Sequence, residues 1–132
     1  MSRIHETELR VRYQETDNMG VVYYANYLTW FEVGRTEYFK SFGVSYRDLE
    51  TKGIYLMVAS ASCRYKSPAR YDDVVRIHTW MPEMKNSSLK FAYKLFVGDR
   101  VAATGESVHV FTNRQGRPTR IPAEIKNLTR PT

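Results

Sequence analysis

Between Tyr24 and Phe42 the apolar residues recur every three or four positions instead of alternating. Leu28, Phe31, Tyr38, Phe39 and Phe42 form the apolar set, while Asn26, Thr29, Glu32, Thr36 and Lys40 make a polar stripe. Tyr27, Trp30 and Val33 widen the apolar arc, so the spacing predicts a long helix buried over most of its circumference. Gly43 follows as a C-terminal cap, since glycine takes the left-handed conformation at least cost. Ser45 with Asp48 resembles a capping box for a short second helix closed by Gly53.

Elsewhere the period is two. Residues 4–13 alternate loosely, with Leu9, Val11 and Tyr13 on one face, and predict a first strand. Ile54 to Lys66 sets Ile54, Leu56, Val58, Ser60 and Ser62 on one side, and Tyr55, Met57, Ala59, Ala61 and Cys63 on the other. Asp73–Met81, Ser87–Val97 and Arg100–Thr112 predict three more strands, the last two joined by a tight Gly98-Asp99 turn. Asn113 to Pro118 reads as a turn, and Pro122 as the first residue of a short C-terminal helix. This order predicts an α+β fold, a five-stranded antiparallel sheet curled around one long central helix. Such a sheet leaves open edges, and pairing them across a two-fold axis predicts at least a homodimer.

A chain of 132 residues predicts one domain, spanning residues 1–132. Hydrophobic residues make 42% and aromatic residues 14%, enough for a real core. The single cysteine, Cys63, cannot form an intrachain disulfide or a cysteine-based metal site, and reads as inert core. The N-terminal stretch MSRIHETELR lacks the apolar run of a signal peptide, and no apolar run approaches the ~20 residues that span a bilayer. The expectation is a cytoplasmic protein with no membrane contact. A formal charge of +6 favours an anionic partner, whether nucleic acid, an acidic surface or a phosphorylated cofactor such as CoA.

The segment Tyr13 to Phe39 carries the candidate chemistry. Asp17 sits in the polar loop QETDNMG, with Gly20 three residues on and the long helix soon after. A helix N-terminus offers unpaired N–H groups and partial positive charge, a place for a developing oxyanion. Carboxylate and oxyanion site would then lie together, as hydrolysis of an activated acyl group requires. Asn26 is the best N-cap by propensity and Tyr24 an alternative helix start; both stay open.

Tyr13, Thr16-Asp17, Gly20-Val21-Val22-Tyr23, Asn26-Tyr27, Phe31-Glu32 and Arg35-Thr36-Glu37 resemble the signature of the 4-hydroxybenzoyl-CoA thioesterase family. Arg64-Tyr65 and Pro68-Ala69-Arg70-Tyr71-Asp72-Asp73 resemble that family's second block, so the resemblance covers nearly the whole chain. It implies a hot-dog fold, dimers that often pair into tetramers, and hydrolysis of acyl-CoA thioesters. It further implies that Asp17 is the catalytic carboxylate and that the amide near Tyr24 polarises the thioester carbonyl. Gly20 and Val21 are candidates for the substrate-binding set, and the resemblance also implies an active site at the dimer interface, with the partner's strand at Val58, Ala59 and Ser60 walling the acyl pocket. Related members often carry histidine where this chain has Tyr24, and His5, His78 and His109 are scattered, which argues against a histidine-assisted mechanism and leaves an Asp-only mechanism open. Direct attack by Asp17 and activation of a water both remain open. A thioester is already activated, so no cofactor and no metal are expected.

Blander readings stand beside these. Asp17 could be a turn residue, and Asn26 a cap or structural hydrogen-bonding residue. Glu32 could pair with Arg35 or Thr36, Glu15 is expected in solvent, and the Tyr24 side chain reads as packing. Lys85, Ser87, Ser88 and Lys90 are candidates to grip CoA phosphates, with Arg64, Lys66, Arg70 and residues 114–120 as alternatives. Each of these cations, taken singly, reads as a solvated surface charge. The competing functions are a thioesterase for acyl groups on acyl carrier protein, a non-catalytic acyl-CoA binder and, behind these, a dehydratase or a nucleic-acid-binding module.

Overall fold

A strand with alternating apolar residues has one face to bury, and five such strands need a single apolar filling. The computed structural model, which describes residues 3–128, meets that need with one helix. The elements run β1 (His5–Arg10), α1 (Asn26–Lys40), α2 (Tyr46–Thr51), β2 (Tyr55–Tyr65), β3 (Val74–Met84), β4 (Ser88–Val97), β5 (Arg100–Thr112) and α3 (Ala123–Leu128). The strands form one antiparallel sheet in the order β1-β3-β4-β5-β2, so β1 and β2 are its edges. The sheet curls around α1, which touches β1, β2, β3 and β4.

Tyr27, Trp30, Phe31, Gly34, Tyr38 and Phe39 are the buried residues of α1. They meet Val75, Ile77, Met81, Leu89, Phe91, Tyr93, Leu95 and Phe111 from the sheet in one core. Phe31 stacks on Tyr93 with ring centroids 4.3 Å apart. Gly34 lets the helix approach β3: a Cβ there would collide with the Thr79 hydroxyl and stand 2.8 Å from Ile77 Cγ2. Ile121 and Ile125 close the core beside α2, where Ser45 Oγ accepts the Asp48 N–H at 3.1 Å as its cap.

Several expectations change in detail. The helix begins at Asn26, because Tyr24 and Ala25 form a turn before it, and it ends at Lys40. Leu28, placed on the apolar face by its spacing, is 42% exposed, at the groove between α1 and β2. The first strand stops at Arg10, and Tyr13 is exposed in a single 3-10 turn over Tyr13–Glu15. In β2 a bulge between Val58 and Ser60 breaks the alternation at Ala59. Leu56 and Val58 pair with Phe111 and His109, whereas beyond the bulge it is Ala61 that pairs with Ser107 and Cys63 with Gly105. Among the described residues no helix is long and apolar enough to cross a membrane.

Candidate active site

The polar loop folds as a tight hairpin. Thr16 bridges Val22, the Asp17 N–H donates to the Val21 carbonyl at 2.8 Å, and Gly20 makes the turn at φ +83°. Asp17 is half-buried, and its Oδ1 accepts the Met19 N–H at 2.8 Å and the Val21 N–H at 3.4 Å. Oδ2 takes no hydrogen bond among the described residues, so one oxygen is held and the other is available.

The two sequence blocks meet here. Val21 bridges Arg70, and the Val22 N–H donates to the Ala69 carbonyl at 2.9 Å. The Ala69 N–H in turn donates to the Tyr27 hydroxyl at 3.3 Å. The Pro68–Asp73 segment therefore anchors the Asp17 hairpin against the start of α1.

At that start the Tyr24 N–H makes no hydrogen bond among the described residues. Its carbonyl is engaged twice, by the Tyr27 N–H at 3.2 Å and the Tyr65 hydroxyl at 3.1 Å. Asp17, Val21, Val22, Tyr24, Tyr27, Tyr65, Lys66, Ser67 and Pro68 line one cavity of about 380 Å³. Burial pushes the Tyr27 phenol above its usual pKa, so it stays protonated.

Glu15 overturns its expectation. It is 6% exposed, with Oε2 accepting the Trp30 indole N–H at 2.9 Å and Oε1 the Arg12 N–H at 2.8 Å. Its carbonyl accepts the Tyr23 N–H and the Asn26 side-chain amide, each at 2.8 Å. Asn26 is thus a structural hydrogen-bonding residue, while Ala25 occupies the N-cap position. Glu15 ties the loop, the turn and the helix into one unit. Nothing in the local pattern signals this, because Trp30 lies fifteen positions away.

The remaining candidates lie elsewhere. Val58, Ala59 and Ser60 stand mid-way along the exposed edge β2. Lys85, Ser87, Ser88 and Lys90 occupy the β3–β4 hairpin, at the end of the sheet opposite Tyr65 and Asp17. There Lys85 pairs with Glu83 at 3.4 Å, and Lys90 with Glu83 at 3.8 Å and Glu106 at 3.7 Å. Within one protomer the structure does not bring them to Asp17, whereas Lys66 lines its cavity.

A second cavity of about 230 Å³ lies further along the groove between α1 and β2, lined by Leu28, Thr29, Phe31, Glu32, Arg35, Val58, Ala61 and Ser107. Among the described residues Glu32 makes no ion pair, so the pairing with Arg35 that the sequence allowed is not formed. Beneath it Ser107 bonds both the Tyr93 hydroxyl and, at 2.7 Å, His109 Nε2. Cys63 is half-buried, and burial pushes its thiol up, as suits an inert residue. Among the described residues no group of three or more His, Cys, Asp or Glu is placed to hold a metal.

Comparison with known proteins agrees with this fold. The model of the thioesterase-like superfamily matches residues 11–128. The putative acyl-CoA thioesterase YneP of Bacillus subtilis is 40% identical over 93 residues, 70% of this chain and 67% of that protein. A putative esterase of Aquifex aeolicus is 33% identical over 116 residues, 88% of this chain and 90% of that one. The structure of DHNA-CoA thioesterase from Staphylococcus aureus superposes with a TM-score of 0.87 at 32% identity, covering 94% of this chain and 82% of that one. The helix-filled antiparallel sheet and these relatives lead to one conclusion: the chain belongs to the thioesterase-like superfamily and is a thioesterase of the hot-dog fold.

Proposed function

We propose that the chain hydrolyses acyl-CoA thioesters to the free acid and CoA, with Asp17 as the reacting carboxylate. The observation that carries this reading is that Asp17 and Tyr24 line one cavity, the Tyr24 N–H making no hydrogen bond among the described residues. The thioester carbonyl oxygen accepts the Tyr24 N–H, so charge developing on it meets a fixed donor near a helix start. Asp17 Oδ2 then either attacks the carbonyl carbon or takes a proton from a water that does. In both routes the C–S bond breaks and the thiolate of CoA leaves; in the first, water afterwards cleaves the acyl–Asp17 anhydride.

Gly20 and Val21 shape the loop on the acyl side, and Lys66 offers a cation at the cavity for the anionic carrier. Lys85, Ser87, Ser88 and Lys90 contribute only if a second copy brings that end of its sheet across. The β2 edge, with Val58, Ala59 and Ser60, is the surface a second copy would cover. A cytoplasmic site of action belongs to the same proposal and rests on free Cys63 and a CoA-linked substrate. The CoA carrier is supported by the relatives described as acting on CoA thioesters.

The test follows thiol release from short, medium, long and aromatic acyl-CoAs, with wild type beside Asp17→Asn. Asp17→Asn is expected to lower kcat by about 10²- to 10⁴-fold while staying folded. Equal turnover in the variant removes Asp17 from the reaction. No release from any acyl-CoA moves the substrate to another carrier.

A further inference from the structure

A buried carboxylate is costly unless its oxygens are hydrogen-bonded. The Glu15 side chain is only 8% exposed, and both of its oxygens are engaged. Oε1 accepts the Arg12 N–H at 2.8 Å and lies 3.5 Å from the Arg12 side-chain Nε. Oε2 accepts the Trp30 indole N–H at 2.9 Å. The first partner leads into the Asp17 hairpin, and the second is buried in the second turn of α1, its ring 5.0 Å from that of Tyr27. Apolar side chains fill a core without this desolvation cost, so a carboxylate clamped at both oxygens points to a demand for geometry.

The main chain of the same residue reaches the peptide that carries the free amide. The Glu15 carbonyl accepts the Tyr23 N–H and the Asn26 side-chain amide, each at 2.8 Å. Those two residues stand on either side of Tyr24 and Ala25. The Asn26 N–H donates to the Tyr23 carbonyl at 3.0 Å. A peptide group is planar, so the bond that holds the Tyr23 carbonyl also sets the direction of the Tyr24 N–H. It polarises that N–H as well, because linked hydrogen bonds reinforce one another. In the other direction along the chain, Asp17 lies two residues from Glu15, its N–H bonded to the Val21 carbonyl. Glu15 is thus joined to one candidate reacting group by the chain and to the other by hydrogen bonds.

We propose that Glu15 is a positioning residue for thioester hydrolysis. Its carboxylate clamps the main chain at Arg12 to Trp30, and its carbonyl passes that setting through Tyr23 and Asn26 to the Tyr24 N–H. The separation and angle between Asp17 and the amide are fixed in this way before substrate arrives. The inference rests on the thioesterase reading, which assigns the Tyr24 N–H to the thioester oxygen. Glu15 does not line the cavity that Asp17 and Tyr24 share, so it acts through them. A misaimed donor slows the step in which charge develops and leaves ground-state binding nearly unchanged.

Glu15→Gln keeps the size of the side chain, but its nitrogen cannot accept, so the Arg12 or the Trp30 N–H loses its partner. For acyl-CoA hydrolysis its kcat is expected to fall by about 10- to 10²-fold, with KM within about threefold of wild type. Asn26→Ala removes the second bond to the Glu15 carbonyl at a half-buried position, and is expected to show the same split. It carries the test should Glu15→Gln not fold. A spectroscopic arm uses an aromatic acyl-CoA with a ¹³C-labelled thioester carbonyl, bound to Asp17→Asn. Hydrogen bonding by the Tyr24 N–H lowers the carbonyl stretching frequency in that complex. Much of the lowering is expected to be lost in Asp17→Asn/Glu15→Gln and in Asp17→Asn/Asn26→Ala, whereas a residue that only stabilises the fold leaves the folded complex unshifted. Unchanged kcat in the folded variants, a rise in KM alone, or a carbonyl frequency indifferent to Glu15 and Asn26 would overturn the proposal while Asp17 and Tyr24 keep their roles. No lowering in Asp17→Asn itself would instead remove the Tyr24 amide from the reaction, and the positioning role with it.

Discussion

His109 has no exposed surface, its Nδ1 meets no hydrogen-bond partner, and its Nε2 is taken by Ser107. Burial first, and then the charge of Arg35, push its pKa down from 6.5 to about 3. The folded chain therefore keeps this ring neutral while the unfolded chain protonates it. The resulting stability is complete above pH 6.5, is lost progressively as pH falls below it, and reaches its floor near pH 3. Between pH 6.5 and 5 the wild type is expected to lose about 1–2 kcal/mol that His109→Gln does not lose. Urea unfolding of both proteins at several pH values checks this, and parallel losses would remove His109 from the account. Glu6, whose carboxyl is held low mainly by its hydrogen bond to His78, weakens the fold only below pH 4.5, outside that window. At this scale the tight turn that carries Asp17 was legible, because a glycine turn such as that at Gly20 depends on near neighbours in the chain. Glu15 and His109 were not, since each owes its burial to residues on other elements.

For α1, the period of the apolar residues set the helix and its buried arc, and only Leu28 fell on the wrong side. The arc reads correctly because a helix filling a curled sheet is buried on three sides. The fourth side borders the groove to β2, and no period marks where that side begins. Gly34 was invisible for a related reason: a mid-helix glycine costs about 1 kcal/mol, and only the nearness of β3 makes it necessary. Gly34→Ala gains helix propensity but overpacks against Thr79 and Ile77, which typically costs about 1–3 kcal/mol. The variant is expected to unfold at lower urea concentration than wild type, and a higher midpoint would mean that the sheet yields easily. The bulge at Ala59 was equally hidden, because an inserted residue leaves an apolar and small-residue run looking regular.

For the whole molecule, strand order β1-β3-β4-β5-β2 leaves a long edge bearing exposed Met57, Val58 and Tyr65. An edge of this kind is a standing template for another chain. If a second copy covers it in solution, folding and association are linked and the melting temperature rises with protein concentration. Calorimetry over a hundredfold concentration range checks this, and an invariant midpoint would mean a folded monomer. The sheet wrapped on a helix was legible because five period-two segments and one helical segment leave few ways to bury their apolar faces. The distance of Lys85, Ser87, Ser88 and Lys90 from Asp17 was not, because within one protomer they stand at the end of the sheet opposite Tyr65 and the Asp17 loop. Strand lengths reveal that separation only once the register is known.

The free amide at Tyr24 has a consequence for how this site can diverge. A donor that belongs to the main chain survives nearly every substitution at its own position, for nineteen of the twenty amino acids carry that hydrogen and only proline lacks it. On the proposed mechanism, the identity of residue 24 is thus uncoupled from the step its amide serves. Its exposed ring, resting at 6.3 Å from that of Tyr65, is free to be exchanged for another shape facing the acyl group. The reaction and the choice of substrate then vary independently at a single position: one is inherited with the backbone, the other is open to drift.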